Sequence, residues 1–331
     1  MKRYTSVVVG LGNIGVRLDL AAGKNRVATH ARAFATHSGY KLAAGVDPNA
    51  TARSLFEQHY CLPAFPDIAA MRAVGIRPEI YSIATPTPLH ARVYAEALAQ
   101  KPLAILCEKP LAESVLDAER MVVDAKTVGC VLAVNYIRRF EPGVLRLRQL
   151  IAGGTLGEVY KGSAWYTKGL LNNGSHVVDL LAFLLGKIDD AQVLHPGRVW
   201  QGGDPEPDVR LRIGAAQVML LAAREECFSY IGFELVGTEG VLRYFDGGHR
   251  IELRRARTEP ALPGYRMLSA EAELLETDLN RYQWHAVDAI HRCLTEGVPL
   301  ESSGESALET LRVIERIHGA LVAPIQNGSQ P

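Results

Sequence analysis

The run Ser6-Val7-Val8-Val9, followed at once by Gly10-Leu11-Gly12-Asn13-Ile14-Gly15, constrains this chain more than any other stretch. A short apolar run rich in β-branched residues reads as a buried parallel strand. Each glycine that closes it has its own steric reason. Gly10 permits the tight turn, Gly12 lets a pyrophosphate approach the backbone, and Gly15 lets the next helix pack on the strand. Phosphates on such a turn sit against free N–H groups, where the helix dipole favours anions. Gly10, Gly12, Asn13, Ile14 and Gly15 are therefore candidate dinucleotide-binding residues. A glycine turn alone is weak evidence; a strand before it and a helical pattern after it give this one its meaning.

Strand and helix alternate from there. A helical pattern from Val16 breaks at Ala22-Gly23-Lys24-Asn25-Arg26 and resumes over Ala28–His37, so one helix carries an inserted loop. Lys24 and Arg26 could reach a substrate phosphate, but a solvated loop is the favoured reading of both. Strand Leu42–Val46 ends at Asp47, where an acidic residue accepts hydrogen bonds from the adenosine ribose. Pro48 follows and no arginine stands immediately beyond to meet a 2′-phosphate, which favours NAD over NADP. Asp47 also fits a helix cap. Further βαβ units run to a strand over Val131–Val134, the pattern of a doubly wound parallel sheet. A helix is expected over Arg139–Ala152. Beyond Gly153-Gly154 the segments are mostly strands, with a helix over Ser175–Leu185 and two more near Arg281–Thr295 and Ser306–Leu321. The fold expected is α/β: an N-terminal Rossmann doubly wound sheet over 1–135, then an α+β domain over 136–331 with a large, open, mostly antiparallel sheet. Ala323–Pro331 reads as a frayed tail.

Composition narrows the function classes. With 331 residues, 48% of them hydrophobic, the chain has material for two cores. A formal net charge of +0 removes the basis for non-specific nucleic-acid binding, and Trp165, Trp200 and Trp284 are too dispersed for a stacking platform. Cys61, Cys107, Cys130, Cys227 and Cys293 show no paired spacing and read as buried thiols in a reducing compartment. His285 and His291 lack the spacing of a zinc pair, so no metal is expected. Met1-Lys2-Arg3 runs directly into the first strand, and the most apolar helix is interrupted by Asp179; a cytoplasmic protein without membrane contact is expected.

Ligands of such sheets bind beyond the carboxyl ends of the strands. Three ends carry chemistry: Thr85-Pro86-Thr87-Pro88-Leu89-His90, Glu108-Lys109-Pro110 and Asn135-Tyr136. Lys109 can hydrogen-bond a substrate hydroxyl and help take its proton, although a solvated Glu–Lys pair fits the same residues. In the second half, Asn172-Asn173-Gly174-Ser175-His176-Val177-Val178-Asp179 opens a helix that Ser175 or Asn173 is placed to cap. His176 and Asp179 stand at i, i+3 and share a face, as a general base and its carboxylate do; a structural histidine fits as well.

Taken together, Gly10-x-Gly12-x-x-Gly15, Thr85-Pro86-Thr87 with His90, Glu108-Lys109-Pro110, Tyr136 with Arg139-Phe140, Gly174-x-His176-x-x-Asp179 and Gly237-Thr238-Glu239-Gly240 resemble the glucose–fructose oxidoreductase / inositol dehydrogenase (Gfo/Idh/MocA) family along nearly the whole chain. The resemblance implies oxidation of a sugar or cyclitol hydroxyl with hydride transfer to NAD, and an open sheet that forms a homodimer or homotetramer interface. It implies that Lys109 binds the reacting hydroxyl and His176 takes its proton, with Asp179 orienting substrate or His176. Thr85, Pro86, His90, Glu108 and Asn135 are then expected at the nicotinamide ribose, and Tyr136, Asn172, Asn173 and Asp179 at the substrate. One departure matters: many polyol dehydrogenases of the family carry aspartate where Asn172 stands, and an amide there resembles the branch acting on nucleotide-activated sugars. The expected activity is therefore NAD-dependent oxidation of a ring hydroxyl of a nucleotide sugar. Alternatives are an enzyme that keeps NAD bound for transient oxidation, a free sugar or polyol dehydrogenase, and a non-catalytic NAD sensor.

Overall fold

The computed structural model describes residues 2–21, 23 and 25–322, so Lys24 and the tail from Ala323 lie outside the described residues. Along the N-terminal part run β1 (Tyr4–Val9), α1 (His30–Thr36), β2 (Tyr40–Val46), α2 (Ala50–Tyr60), β3 (Ala64–Phe65), α3 (Ile68–Ala73), β4 (Ile80–Ile83), α4 (His90–Leu98), β5 (Ala104–Cys107), α5 (Val115–Val128) and β6 (Val131–Val134). The six strands are parallel in the order β3-β2-β1-β4-β5-β6, the doubly wound arrangement with its switch point beside β1. A helix expected from Arg139 is instead a 3-10 turn, Ile137–Phe140, followed by α6 (Pro142–Ala152). Pro142 restricts the residue before it, and the Glu141 carboxylate accepts the Val144 N–H at 2.8 Å, starting the helix there.

The chain continues through β7 (Val159–Tyr166), α7 (Ser175–Leu185), β8 (Asp190–Val199), β9 (Pro205–Ile213), β10 (Ala216–Ala222), β11 (Gly232–Gly237), β12 (Gly240–Phe245), β13 (Arg250–Thr258), β14 (Arg266–Leu268) and β15 (Glu273–Leu275), then α8 (Tyr282–Glu296) and α9 (Gly304–Val322). The strands β7–β15 form one nine-stranded sheet, antiparallel except where β7 meets β10. Val209, Leu211, Val218, Leu220, Leu235, Leu242 and Leu253 are buried, alternating along their strands with more exposed positions, as one-faced packing of an antiparallel sheet requires. The short β14 and β15 were not expected from the sequence.

Two compact units result: residues 1–144 with 278–309, and 145–277 with 310–331. The expected cut after 135 thus misplaces the returning segment 278–309. It joins the first unit because Val287 and Ile290 are buried in that unit's core, Tyr40 donates to Val287 O at 2.8 Å, and Ser302 exchanges bonds with Val134 at the β6 edge. The cysteine expectation is also corrected. Cys107 and Cys130 are buried, but Cys61 and Cys227 are exposed and Cys293 is half-buried.

The loop inserted after the glycine turn has an unusual construction. His30 N–H bonds to Ile14 O at 3.1 Å and Ala31 N–H to Gly15 O at 3.0 Å. An uninterrupted helix makes these bonds between residues four apart, so twelve residues are looped out of a continuous helical path. Asp19, 2% exposed, closes the excursion. Its Oδ2 accepts from Ala28 N (2.8 Å), Thr29 N (2.7 Å) and Thr29 Oγ1 (2.8 Å). Asp19→Ala leaves those buried donors unmatched, so a loss of about 3 kcal/mol in unfolding free energy is expected, read from urea denaturation. Wild-type stability in that variant means the excursion is held elsewhere.

Candidate functional site

At the carboxyl edge of the parallel sheet, a cavity of about 710 Å³ is lined by Gly10, Gly12, Arg17, Asp47, Thr85 and Pro86, among others. The glycine turn on its wall is dictated by contact. Gly10 sits at φ +97°; a Cβ on Gly15 would lie 2.0 Å from Gly10 O, whereas a Cβ on Gly12 meets nothing within 4 Å. The backbone at Gly12 is therefore open on the side where a phosphate would approach. Asn13 is exposed in the turn and Ile14 half-buried against the core.

Asp47 faces the same cavity at the end of β2, and its carboxylate also holds the turn. Oδ2 accepts Leu11 N at 2.8 Å and Oδ1 accepts Asn49 N at 2.8 Å. Asn49 rather than Asp47 caps α2, through its own side chain on Ala52 N. Arg53, six residues beyond Asp47, folds back onto the carbonyls of Asp47 and Pro48 at 2.8 and 2.9 Å.

The strand ends meet through a buried polar network. His90 is 1% exposed, and its ring nitrogens lie 2.9 Å from Pro110 O and 2.9 Å from Thr85 O. It therefore staples the loop after β4 to the loop after β5. Both partners are carbonyl oxygens, and a neutral imidazole has one N–H to donate, so it bonds one of them at a time. Glu108 Oε1 receives His30 Nε2 at 2.7 Å and Asn135 Nδ2 at 2.5 Å, and Oε2 receives Lys109 N at 3.3 Å. Asn135 Nδ2 also donates to Gln283 Oε1, which turns Gln283 Nε2 toward His30 Nδ1 at 3.2 Å, with Ser82 Oγ at 2.6 Å from the same atom. Nδ1 thus accepts, and His30 carries its proton on Nε2 toward Glu108. Burial alone would push the Glu108 carboxyl up, but the bonds from His30 and Asn135 and the Lys109 charge hold it below the ordinary carboxylate range. Burial and the Glu108 charge push Tyr282, nearby, up to about 12. The solvated Glu–Lys pair is excluded for Glu108.

The residues present fit a dinucleotide. Thr85 Oγ1 and Asn135 Oδ1 are buried without a hydrogen-bond partner, one on the cavity wall and one in the Glu108 network. Such atoms are costly to leave unmatched unless a ligand hydroxyl or amide completes them. Pro86 is exposed on the cavity wall, while Tyr136 is 2% exposed at the end of β6.

In the second unit, the segment before α7 is a widened π-type turn, Gly169–Gly174, continuous with the helix. Neither Ser175 nor Asn173 caps it; Ser175 Oγ instead donates back to Asn172 O at 2.9 Å. The cap comes from the strand entering β9. Asp204 accepts Leu171 N (2.9 Å) and Asn172 N (3.0 Å), and Glu206 accepts Gly169 N (3.1 Å). Gly169 is at φ +83°, and a Cβ there would lie 2.1 Å from Asp204 Oδ2, so only glycine admits the carboxylate. Glu206 is in turn paired with Arg198 at 2.6 Å. The turn leaves the Asn172 side chain exposed and Asn173 and His176 half-buried. Asp179 is 1% exposed and its Oδ1 accepts Thr310 Oγ1 at 3.0 Å.

Sequence reasoning missed His30, Ser82, Gln283, Asp204, Glu206 and Thr310. All act across long sequence separations, and only His30 carries a signal, as a histidine opening a helix beside the glycine turn. His285 bonds Asp278 at 2.9 Å and His291 reaches Lys2 O, both structural, and no metal-holding cluster occurs among the described residues. No described helix is long and apolar enough to cross a membrane.

Comparison with known proteins follows the same lines. Residues 5–136 match the family model GFO_IDH_MocA, described as "Oxidoreductase family, NAD-binding Rossmann fold". D-apiose dehydrogenase of Paraburkholderia graminis is 26% identical over 278 residues, 75% of this chain and 72% of that protein. D-glucoside 3-dehydrogenase of Escherichia coli is 29% identical over 142 residues, 43% of this chain and only 40% of that protein. The crystal structure of the WlbA dehydrogenase from Bordetella pertussis, in complex with NADH and UDP-GlcNAcA, superposes with a TM-score of 0.77 at 20% identity, covering 97% of this chain and 96% of that one.

Two outcomes test the first unit. Gly15→Ala should destabilise the protein by about 3 kcal/mol or more, since a backbone oxygen blocks the new methyl. Gly12→Ala should stay within about 1 kcal/mol of wild type while losing about tenfold in NAD affinity; calorimetry and fluorescence titration separate the two. For Glu108, a folded pKa below the unfolded value stabilises the protein above about pH 4.3 and ceases to do so as pH falls through the folded value. Glu108→Gln should therefore be less stable at neutral pH and lose less stability than wild type on acidification, as urea melts at several pH values will show.

Proposed function

We propose that this chain, whose residues 5–136 match the model of the Gfo/Idh/MocA family of NAD-binding oxidoreductases, is a nicotinamide-dependent dehydrogenase of a CH–OH group that oxidises a ring hydroxyl of a nucleotide-activated sugar. The observation that carries the chemistry is the Glu108 network. It places Lys109 at the carboxyl end of β5, and His90 ties that loop to Thr85 on the cavity wall. NAD supplies the hydride acceptor. Gly10, Gly12, Gly15 and Asp47 hold its adenosine and diphosphate, and Thr85 and Asn135 its nicotinamide ribose.

Lys109 Nζ hydrogen-bonds the reacting hydroxyl and lowers the barrier to losing its proton. His176 would accept that proton as the alcohol is oxidised to a ketone. Asp179, held by Thr310, fixes the helix register on which His176 stands. Tyr136 and Asn173 shape the substrate site.

Support for a nucleotide sugar comes from Asn172. An exposed amide on a turn whose backbone Asp204 fixes can donate and accept, without repelling an anionic substrate as aspartate would. UDP-GlcNAcA, bound in the WlbA complex, is an anionic nucleotide sugar of this kind. The D-apiose dehydrogenase relative favours a second reading, a free sugar. In either reading the enzyme works in the cytoplasm as a homodimer or homotetramer.

Screening nucleotide sugars and free aldoses for NADH formation decides between them. Nucleotide sugars should turn over best, and Asn172→Asp should weaken their binding; a free aldose that outperforms them all overturns the nucleotide-sugar assignment. Lys109→Met should lose about two to four decades of turnover while NAD affinity changes little. Near-normal turnover would leave Lys109 outside the chemistry.

A further inference from the structure

The cavity of the first unit is lined by three carboxylates, Asp47, Asp67 and Glu96, and two guanidiniums, Arg17 and Arg92. Asp47 is engaged by the Leu11 and Asn49 amides, and Asp67 by the Ala70 amide. A dinucleotide brings two phosphate charges into this acidic setting. The glycine turn offers them backbone N–H groups but no full positive charge.

Arg17 stands where that charge is needed. It lies two residues beyond Gly15 and lines the cavity together with Gly10 and Gly12. It is exposed, and among the described residues its side chain makes no hydrogen bond or ion pair. Its position follows from the excursion that interrupts the helical path. Arg17 and Asp19 share one 3-10 turn, Arg17–Asp19. Asp19 points inward and is latched to Ala28 and Thr29, while Arg17 faces the cavity. The latch that closes the looped-out segment therefore also orients the arginine.

We propose that Arg17, delivered by the looped-out segment, is a cofactor-binding residue whose guanidinium clamps the diphosphate of NAD. A planar guanidinium pairs with phosphate oxygens through two parallel N–H bonds, stronger and more directional than the amides of the turn alone. The assignment rests on the reading of this unit as an NAD site.

The test is equilibrium binding of NAD, NADP, ADP and adenosine to wild type, Arg17→Met and Arg17→Lys, with circular dichroism to check folding. Arg17→Met should weaken NAD and ADP by about tenfold or more, leave adenosine unchanged, and differ less from wild type at high salt. Arg17→Lys should recover part of the loss. Unchanged NAD and ADP affinity in Arg17→Met overturns the assignment, as does an equal loss for adenosine, or a loss confined to NADP. Wild type that binds neither NAD nor ADP overturns the cofactor reading along with it; wild-type binding with an unchanged variant overturns only the role of Arg17.

Discussion

One interaction recurs at several of the turns around the candidate site: a carboxylate side chain accepting backbone N–H groups. Asp47 holds the glycine turn through Leu11, Asp19 closes the excursion through Ala28 and Thr29, and Glu141 ties Val144 to Asp278. In the second unit Asp204 and Glu206 do the same for the widened turn before α7. A loop near a ligand exposes amides that no strand or helix satisfies. An acid side chain supplies two strong acceptors in the space of one residue, and the bond to an ionised acceptor is about twice as strong as a neutral one. Rigid loops follow without any regular structure in them.

This device also explains what was and was not legible in the sequence. The parallel sheet, its order of elements and the antiparallel second sheet follow from hydrophobic period and turn residues, which are local. A break at Ala22–Arg26 was visible for the same reason, but the helix expected from Val16 is instead a 3-10 turn, Arg17–Asp19. That helical bonds cross the break was not visible, because they join Ile14 to His30 and Gly15 to Ala31, and no periodicity spans a gap of that kind. The caps on the widened turn were unreadable because Asp204 lies 32 residues from Asn172 and Glu206 lies 37 from Gly169. Ser175 looked like the local cap because it has the right chemistry in the right place; a better-charged acceptor arriving from β9 displaced it. His90 carried the motif, and its ring is buried between the loops after β4 and β5. Position in a motif says where a side chain starts, and burial decides where it ends.

Glu108 shows the same logic in the interior. An ionised carboxylate loses several kcal/mol of hydration when buried, so a lone buried Glu would be found protonated. His30, Asn135 and the Lys109 charge together reverse that balance, and the carboxylate stays charged one residue from Lys109. His30 reaches Glu108 only because α1 resumes in register after the excursion, so the interruption and the network have to be compatible.

That compatibility limits what the excursion costs. Closing a loop of about twelve residues loses roughly 2 kcal/mol of chain entropy beyond a constant, and three bonds to one carboxylate are enough to offset a term of that size. The helix pays nothing further, because its bonds continue across the gap as though the segment were absent. A segment inserted at such a point can gain new side chains facing the cavity while the sheet, the glycine turn and the register of His30 stay fixed. Arg17 is the residue this arrangement presents, and the segment is itself fastened to the returning part of the unit, since Val27 is buried in the core and bonds to Asn280 and Gln283.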